Sequence, residues 1–257
     1  MKYLKSSWLI FLAVCGASFA QTEPIQIKTF ANAGVIPVNC FLLYDAGTKD
    51  AALVDAGGSI EGLLAEMKKL DLNLKYIFVT HIHPDHVDGI PAIKAVYPGA
   101  KICFTKEEYD DRKQMARWRE IFAPTIVEAW GKNHDLVKLM DYDYSRIAAP
   151  DIFLEDGQKL KVGSATVVVL KTPGHSRGSL TFSAGGALFP GDLILYHETG
   201  YMDYQLGSKE ETVKSIRRLY GAFPDDTPLH SAHGKSSSIG FEKTGNKNVT
   251  ADKVIWK

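Results

Sequence analysis

The sequence predicts an α/β domain built on a sheet sandwich, with a helical segment inserted near its middle. Three observations carry this. Short apolar runs of strand character alternate with helical periodicity along the chain, turn signals separate them, and several strands end beside a glycine paired with histidine or aspartate. The 257 residues, 45% hydrophobic and 23% charged, are enough for one large core and unlike a disordered chain. Thirty basic residues balance thirty acidic ones, so no basic field exists to attract nucleic acid or an anionic membrane surface. Three cysteines are too few for a disulfide scaffold or a four-cysteine zinc site.

Residues 1–20 stand apart from the fold. Lys2 and Lys5 precede the apolar run Trp8–Val14, which is too short to span a bilayer, and Ser18 and Ala20 place small residues before Gln21. This is the pattern of a cleaved secretory signal, so the mature domain is expected over 21–257, periplasmic or secreted, with no stable membrane insertion. The alternatives are a retained N-terminal helix, or a lipoprotein anchored at Cys15, which the bulky Val14 disfavours. Signal removal leaves a net charge of −2 and two cysteines, Cys40 and Cys103. Both lie in strand-like runs and read as buried free thiols, a disulfide between them being the alternative in an oxidising compartment.

The elements follow in order. Strands are expected at Ile25–Phe30, Val38–Tyr44 and Ala51–Val54, divided by Asn32-Ala33-Gly34 and Asp45-Ala46-Gly47. Ser59 is a plausible N-cap for a helix over Ile60–Leu70, in which Ile60, Leu63, Leu64, Met67 and Leu70 share one face. Strand Lys75–Thr80, helix Ile90–Tyr97 and strand Lys101–Phe104 complete a β-α-β unit. Residues 105–150 are rich in charge and aromatics, read as helical to about Asp141, and could cover a neighbouring site as a lid. Arg112, Lys113, Arg117 and Arg119 there, with Trp118, could meet an acyl or anionic substrate, although a charged helix face is usually only solvated. Strands return at Ile152–Leu154, Lys159–Val162, Thr166–Lys171, Leu180–Ser183 and Ala187–Phe189, then a helix over Glu210–Tyr220 and a strand near Thr227–His230.

The chemistry concentrates directly after the strand that ends at Thr80. His81, His83, Asp85 and His86 place three imidazoles and a carboxylate within six residues. Both donor types suit a borderline divalent metal and offer lone pairs near neutral pH. In extended chain His81 and His83 point to one side, while Asp85 and His86, at a helix start, turn toward a second position. One loop can therefore seed two adjacent metal sites. Further ligand candidates sit at strand ends: His175 in Pro173-Gly174-His175, Asp192 in Pro190-Gly191-Asp192 and His233 before Gly234. Tyr196, His197 and Tyr201, shortly after Asp192, are candidate substrate contacts. His134 and His230 read as ordinary satisfied histidines.

The string His81-x-His83-x-Asp85-His86, followed by Gly174-His175, Gly191-Asp192 and His233-Gly234, resembles the metallo-β-lactamase-fold hydrolases, and within them the glyoxalase II-like branch. The resemblance implies a four-layer αββα sandwich with two divalent ions, zinc by default and iron or manganese possible. It puts His81, His83 and His175 on one ion, Asp85, His86 and His233 on the other, and Asp192 between them. It implies hydrolysis of a small-molecule substrate by metal-bound hydroxide, with Asp85 as ligand and proton carrier, and a bracing role for Asp55.

A bridging aspartate resembles thioesterases and lactonases more than class B1 and B2 lactamases, which carry cysteine there, or class B3, which carries a small hydroxyl residue. An exported hydrolase of an ester, thioester or lactone is therefore expected. The alternatives are a class B3-like β-lactamase and a mononuclear-iron persulfide dioxygenase. Twenty-four residues follow His233, too few for the C-terminal helical domain that typical glyoxalase II uses for glutathione, so a glutathione thioester is a doubtful substrate.

Overall fold

In the computed structural model the described residues are 25–115, 117, 120, 127, 128, 131, 141–202 and 206–256. The expected signal, Cys15, Trp118, Arg119 and His134 lie outside them. The first half of the chain forms a six-stranded sheet in sequence order: β1 (Gln26–Asn32), β2 (Val38–Tyr44), β3 (Asp50–Val54), β4 (Asn73–Phe78), β5 (Lys101–Phe104) and β6 (Ile152–Phe153). The β1–β2 and β2–β3 pairs are antiparallel; from β3 to β6 the pairing is parallel. Helices α1 (Glu61–Lys69), α2 (Pro84–Val87) and α3 (Ile90–Val96) make the crossovers, and α4 (Lys106–Met115) opens the inserted segment.

The second sheet runs β12-β11-β10-β9-β8-β7, from β7 (Lys159–Val162), β8 (Ala165–Lys171), β9 (Leu180–Ala184), β10 (Ala187–Phe189), β11 (Pro228–Leu229) and β12 (Ser237–Ser238). Helices α5 (Lys209–Ala222) and α6 (Ile239–Gly245) accompany it.

Strand alternation explains the layers. In β2, Phe41 and Leu43 enter one core and Leu42 another; in β3, Ala52 and Val54 oppose Ala51 and Leu53. The first core, with Phe78, Val169, Phe182 and Phe189, fills the space between the sheets. The second binds the first sheet to α1 through Leu63 and Met67 and to α3 through Ile93. A third, with Leu188, Ile216, Leu219 and Ile239, holds α5 and α6 on the second sheet. The result is the four-layer αββα sandwich.

One local expectation needs correction. Ser59 does not cap α1: the N-cap position is Ile60 and makes no side-chain cap bond, while the Ser59 hydroxyl donates to the Glu61 carboxylate. The chain after His233 also holds β12 and a helix capped by Ser238, whose hydroxyl accepts from the Phe241 N–H. Cys40 and Cys103 are both buried free thiols, and burial pushes each up to about 12. No helix among the described residues is long and apolar enough to cross a membrane.

Candidate metal centre

All the seeded residues sit at one rim of the sandwich, where β3 and β4 end and the loops after β8, β10 and β11 arrive. The turn after β3 is held to the histidine loop by backbone. The Ala56 N–H donates to the His86 carbonyl at 2.8 Å, and the Gly89 N–H donates to the Ala56 carbonyl at 2.8 Å. Gly57 is required here because a Cβ would lie 1.5 Å from the Asp85 carbonyl oxygen. The histidine loop then enters the one-turn helix α2, with Pro84 at its first turn and Asp85 and His86 inside it.

Two clusters result. In the first, His81 Nε2 lies 2.9 Å from His83 Nδ1, and His175 Nε2 lies 3.1 Å and 2.9 Å from those same two atoms. In the second, His233 Nε2 lies 3.2 Å from Asp85 Oδ2, and His86 Nε2 lies 3.6 Å from that oxygen. Asp192 stands between them. Its Oδ1 is 3.6 Å from His86 Nε2 and 3.4 Å from His233 Nε2, while its Oδ2 is 3.7 Å from His175 Nε2.

The outer contacts decide which nitrogens face inward. Asp55, fully buried, takes the Thr80 N–H at 2.8 Å on Oδ1 and pairs His86 Nδ1 at 2.9 Å on Oδ2. It does so in the left-handed region, at φ 59°, which aspartate tolerates better than most residues. His233 Nδ1 donates to the Pro37 carbonyl at 2.7 Å. Both rings therefore turn Nε2 toward the centre. His86 Nε2 and Asp192 Oδ1 are buried with no hydrogen-bond partner. Buried polar atoms are rarely left so, and here they converge with five other candidate ligands. The residues fit two cations of the borderline class.

The charges are arranged unequally. Burial, and then the neighbouring imidazoles, hold His81 and His83 well below the usual histidine range, and burial also lowers His175. Burial acts against a charged His86 too, but Asp55, Asp85 and Asp192 outweigh it and raise that ring to about 10. His233 is raised against burial by Asp192 and Asp85. The signs predict the metal-free chain's response to pH. Groups lowered in the folded state contribute stability above the unfolded value near 6.5 and lose it as pH falls below. His86, raised, contributes below that value and loses it as pH climbs toward 10. Melting of the chelator-stripped chain is expected to show its highest Tm near pH 7, with a clear fall from there to pH 5 and a second decline toward pH 10. A flat profile there would contradict the arrangement.

The remaining expected residues are not part of these two clusters. His197, at φ 67°, is docked on α6: its Nδ1 bonds the Gly245 carbonyl at 2.7 Å and its ring packs 4.3 Å from Phe241. Tyr196 and Tyr201 are exposed on the same loop, Tyr201 by 70%. Lys235 Nζ stands 5.9 Å above the Tyr196 ring. His230 stacks on Phe189 within the fold. Arg112 lies over the Tyr109 ring of its own helix, 3.5 Å from the centroid. Glu108 of α4, 2% exposed, touches both histidine-bearing loops and was hidden in the run Lys106-Glu107-Glu108-Tyr109-Asp110-Asp111, which reads as a solvated face.

A family model described as the metallo-beta-lactamase superfamily matches residues 33–233. The chain belongs to that superfamily. Among its relatives, hydroxyacylglutathione hydrolase GloC of Haemophilus influenzae is 29% identical over 233 residues, covering 84% of this chain and 96% of its own. The probable polyketide biosynthesis zinc-dependent hydrolase BaeB of Bacillus velezensis is 26% identical, covering 88% of this chain and 82% of its own. The crystal structure of the BLEG-1 B3 metallo-beta-lactamase superposes with a TM-score of 0.68 at 26% identity, covering 86% of this chain and 98% of that one. That structure shares the fold of this chain.

Proposed function

We propose that this superfamily member is an exported metal-dependent hydrolase that cleaves an ester, thioester or lactone at a dinuclear centre. His81, His83 and His175 would hold one ion, Asp85, His86 and His233 the other, with Asp192 shared. The observation that carries the reading is the division of Asp192, one carboxylate oxygen toward each cluster. Bound there, two divalent ions, zinc by default, would supply Lewis acidity and bring the pKa of a water toward neutrality.

The chain's own residues then have distinct tasks. Three neutral imidazoles leave the first position with less negative charge than the second, which adds Asp85 to the shared Asp192, so a substrate carbonyl oxygen is favoured on that side. Asp85 Oδ2 faces His233 and His86, and this carboxylate is the proposed proton carrier to the leaving group. Tyr196 and Tyr201, exposed beside the centre's last loops, are the proposed substrate contacts. Lys235 beside Tyr196 adds a cation for an acyl group bearing a carboxylate.

The test is turnover of the full-length, zinc-loaded chain on a panel of thioesters, esters, lactones and β-lactams. Hydrolysis of an acyl ester, thioester or lactone supports the proposal. β-Lactams as the preferred substrates would favour the second reading, a class B3-like β-lactamase, which the 26%-identical B3 neighbour supports. One iron per chain with oxygen consumption on a persulfide would overturn both.

A further inference from the structure

The two loops that deliver the first three imidazoles come from distant parts of the chain, and α4 touches both. Glu108 is the point of contact. Its Oε2 accepts the Ile82 N–H at 2.9 Å, the amide between His81 and His83. Its Oε1 accepts the Gly178 N–H at 3.0 Å and the Ser176 hydroxyl, next to His175. One carboxylate oxygen thus serves each loop.

The surrounding packing leaves no slack. The Thr105 hydroxyl donates to the Gly178 carbonyl at 3.0 Å and accepts from the Glu108 N–H at 3.3 Å. A Cβ on Gly178 would sit 2.2 Å from Thr105 Oγ1 and 2.7 Å from Glu108 Cγ. Ser176 is fixed in turn by Ser179, hydroxyl to hydroxyl at 2.6 Å. By contrast, the second cluster is braced elsewhere, through Asp55 on His86 and the Pro37 carbonyl on His233. Glu108 has no hydrogen bond to that side among the described residues.

From this geometry we propose that Glu108 is a positioning residue that sets the first metal position by clasping the His81–His83 loop to the His175 loop, independently of the second position. The inference rests on the dinuclear reading above. A carboxylate is needed because both ends must accept. Glutamine has one acceptor end, and its NH2 would face an N–H of one loop or the other.

Zinc alone is titrated into the metal-stripped full-length chain against a chromophoric chelator, and cobalt(II) spectra identify which donor set is filled. Wild type is expected to take up two ions. Glu108→Gln is expected to keep one at wild-type affinity and to bind the other, the one with the three-imidazole spectrum, about 10–100-fold more weakly. Glu107→Gln removes a neighbouring α4 tie, to Lys171 Nζ at 3.1 Å, and should leave both affinities unchanged. Should Glu108→Gln fail to fold, Ser176→Ala removes one donor of the clasp with little change in volume and should weaken the same ion.

Unchanged affinity for both ions in the folded Glu108 variant, or in Ser176→Ala where it replaces it, would overturn the assignment. So would an equal loss in Glu107→Gln, because the effect would then be general to α4. A wild-type chain that takes up no zinc removes the metal reading itself, and the clasp with it, and is told apart by that first titration.

Discussion

Asp192→Ala is expected to lower turnover on the order of 10³-fold or more while leaving the fold intact. The carboxylate is the one side chain in the centre with an oxygen toward each cluster, so its removal affects both positions together. It also takes away one of the three negative charges that surround the buried His86 ring. The loop itself does not depend on the side chain. The Gly200 N–H donates to the Asp192 backbone carbonyl at 2.8 Å, and alanine keeps that bond. Circular dichroism should therefore match wild type while the metal content falls to one ion or none. Full activity in this variant would sink the bridging role.

The second large effect is on the scaffold. Gly57→Ala should destabilise the chain by about 3 kcal/mol or more, since a methyl 1.5 Å from the Asp85 carbonyl oxygen can be accommodated only by moving backbone. That backbone is tied on every side. The Asn32 amide donates to the Gly57 carbonyl at 2.9 Å, the Gly58 N–H donates to Asp88 Oδ1 at 2.7 Å, and the Ala56–His86 bond lies beside them. The strain falls on Asp85 and His86, so metal affinity should drop with stability. For a domain of this size the loss corresponds to a fall in Tm of about 6–12 °C. Gly221→Ala, in α5 with no heavy atom within 4 Å of the added Cβ, is the control and should leave Tm unchanged or slightly raised. Equal Tm values for the two variants would show that the turn yields more easily than its packing implies.

Much of this site is written locally. His81, His83, Asp85 and His86 lie within six residues, and His175, Asp192 and His233 each follow a strand beside a glycine, so spacing alone pointed to them. The strands were equally legible, because apolar side chains alternate over β2 and β3 between two cores. The supporting residues were not. Glu108 works through amides 26 and 70 positions away, and no pattern around Lys106–Asp111 distinguishes it from the charged residues beside it. His197 follows Asp192 closely in sequence, yet its loop turns through a left-handed residue and sends the ring to α6. Ser59 has the chemistry of a cap, but its hydroxyl is taken by Glu61. In each case the decisive partner is set by tertiary placement or by competition within one turn, neither of which residue type reveals.

Two clusters that share Asp192 should hold two ions. Elemental analysis of the full-length chain after zinc loading and removal of excess metal tests this most directly. Two zinc ions per chain in wild type, and one or none in Asp192→Ala, is the predicted result. A single ion per wild-type chain, unchanged by Asp192→Ala, would contradict it.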